Sequence, residues 1–324
     1  MTEIGVVRGA RKVMATITVA LLAVDLGLAA CGSSGPAEAE TTTTVPTTTS
    51  VAASAGITSV PVRVIQTTDG QVAYRELGNG TPLLLIMGLG GSIDDWEPSF
   101  VNALASRYRV IVFNNAGVGR TSPLPSPLTV SAMAEQTSAF ISALGLDRVD
   151  VLGWSMGGMI AQALMVMHRP QVRRLVLAAT QAGTGHALPV PAGAAADATS
   201  AKPADVLSTL FPPGQAVAEQ KYVTGILAYP GYYGAPRDLL ASQNAAIEAW
   251  LNGNDPSGHL VGAIRAPTLV ADGTVDALDP TANDRLLTAA IHGAQLVLYA
   301  GAGHGFMFQD AASFIPRLEK FLLG

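Results

Sequence analysis

The chain has 324 residues, of which 49% are hydrophobic, and its formal net charge is −5 at pH 7. This composition is typical of a globular protein with a sizeable core, and the lack of a basic cluster beyond the first dozen residues argues against nucleic-acid binding. One cysteine, Cys31, excludes an intramolecular disulfide, and the five histidines are too scattered to predict a metal site. The sequence therefore predicts neither a metal nor a cofactor.

Residues 1–30 have the pattern of an export signal, in which basic residues precede the apolar stretch Val13–Leu28. The segment Leu28-Ala29-Ala30-Cys31 resembles the bacterial lipoprotein box, whose cysteine becomes the lipidated first residue of the mature chain. We expect an exported protein that is anchored through Cys31 to the outer face of a membrane. A secreted form cut after Ala30 and an uncleaved anchor helix are the alternatives.

Residues 31–56 are rich in Thr, Ser and Ala and have no hydrophobic period, so they are predicted to form a flexible stalk. After the stalk, predicted strands alternate with predicted helices. The strands are Val62–Gln66, Gln71–Leu77, Leu83–Met87, Arg109–Phe113, Val149–Gly153, Leu175–Ala179, Pro267–Ala271 and Gln295–Ala300. Helices are expected near Asp95–Ser106, Val130–Leu144 and Met159–Met167. This order predicts an α/β fold with a mostly parallel sheet of about eight strands, helices on both faces and ligands at the carboxyl ends of the strands.

The alternation stops over residues 181–264, which separate the predicted core segments 57–180 and 265–324. Helical patterns remain at Pro203–Leu210, Gln215–Leu227 and Leu239–Leu251, so the insertion is predicted to be a helical lid over the carboxyl ends of the strands. Its aromatic residues either roof an apolar substrate pocket or pack the lid onto the core. They are Phe211, Tyr222, Tyr229, Tyr232, Tyr233 and Trp250.

The stretch Gly153-Trp154-Ser155-Met156-Gly157 lies between a predicted strand and a predicted helix. In a G-x-S-x-G turn the glycines permit a close approach of strand and helix, and the strained turn exposes the serine hydroxyl at the top of the sheet. The helix N-terminus behind Ser155 offers free N–H groups to an oxyanion. Ser155 is therefore a candidate nucleophile.

A serine nucleophile needs a histidine base. Among the five histidines, His304 alone lies in a Gly-rich loop directly after a predicted central strand. For the orienting carboxylate, the loop after the Pro267–Ala271 strand offers Asp272, Asp276 and Asp279. For Asp272 and Asp279, turn formation is the alternative role.

From about Val62 to Leu323 the chain resembles the α/β-hydrolase fold family. The matching motifs are Met87-Gly88-Leu89-Gly90, Asn115-Ala116-Gly117-Val118-Gly119, the Gly153–Gly157 elbow, Gly273-Thr274-Val275-Asp276 and Gly303-His304. The resemblance implies a catalytic triad in the chain order Ser155, Asp276, His304, and an oxyanion hole formed by the N–H groups of Leu89 and Met156. Many relatives have aspartate where Asn114 stands, a difference that we attribute to anchoring of the loop.

These observations predict a carboxylesterase-like serine hydrolase that acts on a small, apolar ester through an acyl-enzyme. A cofactor-free perhydrolase or haloperoxidase would use the same triad, and thioesters or amides are further possible substrates. The non-enzymatic alternative is a lipoprotein that binds an apolar ligand without turning it over.

Overall fold

The computed structural model describes residues 56–324, which form an α/β structure around one sheet. The strands in this part of the chain are β1 (Arg63–Thr67), β2 (Gly70–Leu77), β3 (Thr81–Ile86), β4 (Tyr108–Phe113), β5 (Val149–Trp154), β6 (Val172–Ala178), β7 (Thr268–Gly273) and β8 (Gln295–Tyr299). Their spatial order is β1-β2-β4-β3-β5-β6-β7-β8. The β1–β2 and β2–β4 pairs are antiparallel and the remaining pairs are parallel, which confirms the predicted eight-stranded, mostly parallel sheet.

The helices cover both faces of this sheet. They are α1 (Pro98–Ala105), α2 (Val130–Ala143), α3 (Met156–Met167), α4 (Ala192–Ala198), α5 (Pro203–Leu210), α6 (Ala216–Ile226), α7 (Arg237–Leu251), α8 (Thr281–Ala290), α9 (Phe306–Gln309) and α10 (Ala311–Leu323). Most of these helices confirm predicted segments within a few residues. The predicted helix near Asp95–Ser106 begins later, at Pro98, because Ser92 caps a separate short 3-10 turn at Ile93–Asp95.

The core lies on both sides of the sheet. Strand β3 shows why, since its continuous apolar run places Leu83 and Leu85 in one buried cluster and Leu84 and Ile86 in the other. Alternate side chains of a strand point to opposite faces, so a strand that is covered twice must be apolar throughout. The carboxyl ends of β3, β5 and β7 therefore emerge from a rigid, fully packed scaffold.

Helices α4 to α7 all lie in the insertion between β6 and β7, where the sequence predicts a lid. The longest, α7, buries one stripe of side chains at helical spacing, including Gln243, Ala246 and Trp250. This insertion brings four helices to the carboxyl end of the sheet.

Candidate active site

Ser155 lies on a sharp turn between β5 and α3. Its backbone has φ 56° and ψ −123°, which is a strained conformation for a residue with a side chain. Four hydrogen bonds hold the turn. The Ser155 N–H donates to Ala178 O at 2.9 Å, and Ser155 O accepts from Gly158 N at 2.8 Å, from Met159 N at 3.3 Å and from Thr180 Oγ1 at 2.8 Å. The surrounding core thus holds the serine in a geometry that an isolated chain would avoid.

The glycines of the motif are required by close backbone contacts. A Cβ atom on Gly153 would lie 2.3 Å from Gly157 O, and one on Gly157 would lie 2.0 Å from Ile86 O. Both distances are shorter than any stable contact, so no larger residue fits without moving the backbone. Close packing of α3 against β3 and β5 therefore explains the G-x-S-x-G pattern.

His304 and Asp276 form a hydrogen-bonded pair. His304 Nδ1 lies 2.6 Å from Asp276 Oδ2, and the exposed fractions of the two side chains are 5% and 0%. The other carboxylate oxygen, Asp276 Oδ1, accepts from the N–H groups of Leu278 at 2.6 Å and Asp279 at 2.9 Å. These two bonds fix the carboxylate so that Oδ2 faces the imidazole and holds it in one orientation.

The surroundings of His304 act on its pKa in opposite directions. Burial lowers the pKa, but the charge of Asp276, its hydrogen bond and the charge of Asp279 together raise it above the ordinary value for histidine. A base with a raised pKa binds the proton of a hydroxyl group more readily, and it must be neutral before it can do so.

Trp154, the residue before the serine, connects the elbow to the histidine loop. Its indole Nε1–H donates to His304 O at 3.0 Å, and the two ring centroids are 5.7 Å apart. No role for Trp154 was predicted from the sequence. Its only local signal is a large, amphipathic ring inside the elbow motif.

The two residues expected to form the oxyanion hole each follow a residue of the elbow contact between Gly88 and Ser155. Met156 is the first residue of α3, and Leu89 follows Gly88, where a Cβ atom would lie 3.1 Å from Ser155 Cβ. Neither N–H donates to another residue within 56–324. Free donors next to the serine hydroxyl are the arrangement that stabilises a developing oxyanion.

Two asparagines hold the loop that carries Leu89. Asn114 Oδ1 accepts from the Ile93 N–H at 2.7 Å, and Asn115 Nδ2 donates to Met87 O at 2.8 Å. Both asparagines follow β4. Asn115 bonds the first residue after β3, and Asn114 bonds the start of the 3-10 turn at the far end of the same loop. Asn114 thus anchors the loop through a neutral oxygen.

A model of the alpha/beta hydrolase fold family matches residues 81–311. The chain belongs to the α/β hydrolase family. It is 33% identical over 256 residues to a poly(3-hydroxyalkanoate) depolymerase of Ectopseudomonas oleovorans, a match that spans 75% of this chain and 84% of the depolymerase. It is also 29% identical over 287 residues to a protein of Caulobacter sp. (strain K31) provisionally named carbamate hydrolase RutD, spanning 80% and 97% of the two chains.

Among solved structures, an α/β hydrolase fold protein from Chitinophaga pinensis superposes with a TM-score of 0.71 and 25% sequence identity. The match covers 83% of this chain and 99% of that chain. These similarities support a hydrolase of this fold, and they extend over nearly all of the described part of the chain.

In this α/β hydrolase a cluster of buried carboxyl groups lies beside Asp276. One oxygen from each of Asp272, Asp279 and Asp284 lies within 4.8 Å of the other two, and all three residues are buried. Burial and the charge of Asp276 raise the pKa of Asp279 to about 7, and burial and the charge of Asp279 raise the pKa of Asp284 to about 9. The pKa of Asp272 is also raised, by burial first.

These raised pKa values describe carboxyl groups that hold their protons to a higher pH than an ordinary aspartate does. The same three oxygens are spaced so that a hard cation could bind them, but a cation would have to displace those protons. From the sequence, Asp272 and Asp279 were candidates for the orienting carboxylate or turn-forming residues, and no role was predicted for Asp284. Its signal, an acidic residue on the inner face of α8, becomes visible only when the packing of that helix is known.

The lid of this α/β hydrolase is attached to the core mainly by its aromatic residues. Phe211, Tyr222, Tyr229 and Trp250 are buried, and two of their polar groups bond the segment before α1: Tyr222 Oη donates to Asp95 O at 3.1 Å and Tyr229 Oη to Trp96 O at 2.8 Å. Packing of the lid is therefore their observed role. Tyr232 is exposed and Tyr233 is partly buried.

Two leucines of α7 cover the glycine turns next to the site. A Cβ atom on Gly90 would lie 2.5 Å from Leu240 Cδ1, and one on Gly117 would lie 3.1 Å from Leu239 Cδ1. The lid thus contributes an apolar surface at the carboxyl end of β3 and β4.

Cys31 and the predicted signal and stalk lie outside the described residues. No helix within residues 56–324 is long and apolar enough to cross a membrane.

Proposed function

We propose that this protein is a serine hydrolase that cleaves carboxylic esters, with Ser155 as nucleophile, His304 as general base and Asp276 as the residue that orients the imidazole. The observation that carries the proposal is the buried 2.6 Å contact between His304 Nδ1 and Asp276 Oδ2, combined with the strained elbow at Ser155. The strained backbone at Ser155 costs stability, and strain of this kind is typical of functional sites.

In the proposed reaction, Ser155 Oγ attacks the ester carbonyl while His304 Nε2 takes the hydroxyl proton. The carbonyl oxygen becomes an oxyanion that the N–H groups of Leu89 and Met156 stabilise. His304 then gives its proton to the departing alkoxide, which leaves as the alcohol. Water attacks the acyl-enzyme by the same proton transfers and releases the acid and the free serine.

The proposed substrate is a small, apolar ester. The apolar surface that Leu239 and Leu240 add beside the site supports this choice, because an acyl chain would bury area against it. The names of the two relatives, a depolymerase of a poly(3-hydroxyalkanoate) and a carbamate hydrolase, keep polymeric esters and carbamates in the panel of substrates to test.

We also propose that the enzyme works on the outer face of a membrane, held by lipidated Cys31. Its support is the lipoprotein box in the sequence. Metabolic labelling with a fatty-acid analogue should modify the wild type and spare Cys31→Ser, and equal labelling of both would contradict the anchor.

The test of the catalytic proposal is labelling by a fluorophosphonate together with turnover of p-nitrophenyl esters of graded chain length. Ser155→Ala should abolish both, and we expect a loss of at least about 10⁴-fold in kcat. Ser242→Ala is the matched control, because Ser242 is exposed on α7 and donates only to Asp238 O. Undiminished turnover in Ser155→Ala would refute the mechanism.

The same preparation separates the alternatives. A folded wild type that neither labels nor turns over esters would favour a ligand-binding protein. Bromination that depends on acetate and peroxide, and that exceeds ester hydrolysis, would favour the perhydrolase.

A further inference from the structure

Gln243 stands out in the buried stripe of the lid helix α7. The other side chains of this stripe are apolar, among them Leu240, Ala246 and Trp250, whereas Gln243 is 0% exposed and polar. A buried amide is costly unless its hydrogen bonds are made. Its presence at the centre of the contact between lid and core therefore needs a reason.

One half of the Gln243 amide is hydrogen-bonded to the loop that carries Leu89. The Gly90 N–H donates to Gln243 Oε1 at 2.8 Å, joining residues that are 153 positions apart in the chain. The lid also binds the other polar group of Gly90, because Gly90 O accepts from the Ala235 N–H at 3.3 Å. Both backbone groups of this glycine are thus held by the insertion.

The position of Gly90 makes these bonds important for Leu89. The bonded N–H belongs to the peptide group between Leu89 and Gly90. Because the hydrogen bond fixes this peptide group, it restricts the backbone rotation of Leu89. On the other side of Leu89, Gly88 packs directly against Ser155: a Cβ atom on Gly88 would lie only 3.1 Å from Ser155 Cβ. Leu89 is therefore held from the core by Gly88 and from the lid through Gly90.

The Nε2 group of the amide argues against a purely structural role for Gln243. Gln243 Nε2 is buried and has no hydrogen-bond partner in the described part of the chain. A purely apolar residue of the same size would avoid that cost and pack equally well on Leu240 and Trp250. Such a residue could not accept the hydrogen bond that the Gly90 N–H donates.

We infer that Gln243 is a positioning residue: it couples the lid to the oxyanion hole by holding the Leu89–Gly90 peptide in the orientation that directs the Leu89 N–H at the substrate oxygen. The inference rests on the proposed function. When α7 is docked the oxyanion hole is complete, and when α7 leaves the core the loop loses its acceptor.

The experiment compares Gln243→Met with Gln243→Glu. Methionine keeps the length and shape of the side chain but accepts no useful hydrogen bond, whereas glutamate keeps an oxygen in the place of Oε1 and removes the unpartnered amide. We expect Gln243→Met to lower kcat about 10- to 100-fold with KM changed by less than about two-fold, because one oxyanion donor is misplaced. Gln243→Glu should recover most of kcat.

Hydrogen exchange gives a readout that does not depend on turnover. The Gly90 amide should exchange faster in Gln243→Met and stay protected in Gln243→Glu. Tyr229→Phe is the structural control, since it removes a different bond between lid and core, the one to Trp96 O. It should lower the melting temperature slightly and leave kcat unchanged.

The outcomes separate this inference from the proposed function. Wild-type turnover that Ser155→Ala abolishes establishes the function, and an unchanged kcat in Gln243→Met would then overturn the role of Gln243. A loss of kcat of equal size in Tyr229→Phe would also overturn it, because any loosening of the lid would then have the same effect. If the wild type turns over no ester, the proposed function fails, and unaltered Gly90 exchange in Gln243→Met would separately refute the coupling.

Discussion

The two halves of the site, a core half and a lid half, are built from different parts of the chain and are held by different contacts. The half that contains Ser155, His304 and Asp276 comes from the ends of β5, β7 and β8, and hydrogen bonds and backbone contacts inside the core fix it. The half that directs Leu89 depends on a helix of the insertion, through Gly90. In the proposed mechanism, the proton path therefore belongs to the strand ends of the core, whereas the Leu89 oxyanion donor is held by a helix of the insertion.

The largest effect that tests this comparison is expected from Asp276→Asn. The amide keeps the shape of the side chain but no longer holds the imidazole in the required tautomer, so kcat should fall about 10³- to 10⁴-fold. The measurement is ester turnover at the pH optimum of the wild type. A loss of less than ten-fold would contradict the proposal that Asp276 orients the imidazole of His304.

Glycine substitutions compare the core with the lid directly. Gly157→Ala places a Cβ atom 2.0 Å from Ile86 O, and we expect it to lower the free energy of unfolding by about 2–4 kcal/mol. Its matched control is Gly193→Ala in α4 of the lid, where a Cβ atom meets nothing within 4 Å and alanine should stabilise the helix by about 0.5–1 kcal/mol. Urea denaturation measures both, and equal losses would contradict the assignment of tight packing to the elbow.

The carboxyl cluster predicts that the free energy of unfolding falls as pH rises. The pKa of Asp284 is raised to about 9, so the folded protein holds a proton there that the unfolded chain releases near pH 4. Stability is therefore lost as pH rises between these values, and Asp284→Asn should raise the free energy of unfolding at pH 7 by about 1–2 kcal/mol. Melting temperatures at pH 5, 7 and 9 should fall less steeply in the variant. A parallel fall in both proteins would refute the prediction.

The smallest expected effect is a shift in the pH profile of Asp279→Asn. The charge of Asp279 is one of the causes that raise the pKa of His304, and removing it should lower that pKa. Because the base must be neutral, activity is lost as pH falls through the pKa, so the acid limb of kcat/KM should move to lower pH by less than one unit. The substitution keeps the oxygen that accepts from Gln181 Nε2 and Asn283 Nδ2. A shift toward higher pH would contradict it.

The same comparison shows what could be predicted from the sequence. Local patterns specify the core half: the alternating strands, the glycines around Ser155 and the Gly-rich loop at His304 all lie within short windows, and the structure has these elements where they were expected. The fold was predictable because each strand carries its own hydrophobic pattern.

The lid half was predictable only as a set of helices. The periodicity of α7 is visible in the sequence, but its partner in the core is not, since the bond from Gly90 to Gln243 joins distant segments. The roles of Tyr222 and Tyr229 likewise depended on which surface the lid meets. A polar residue within an apolar helical stripe, as at Gln243, is the signal that could have pointed to this contact.

The intrinsic fluorescence of Trp154 can report on His304. Its ring lies 5.7 Å from the imidazole of His304, and its indole N–H is bonded to the backbone of the same residue. Protonated imidazole quenches a neighbouring indole, so the intrinsic fluorescence should titrate with the base itself. Trp96→Phe and Trp250→Phe would remove the other two indoles of the chain. The ionisation of His304 could then be followed in the resting enzyme, without any substrate.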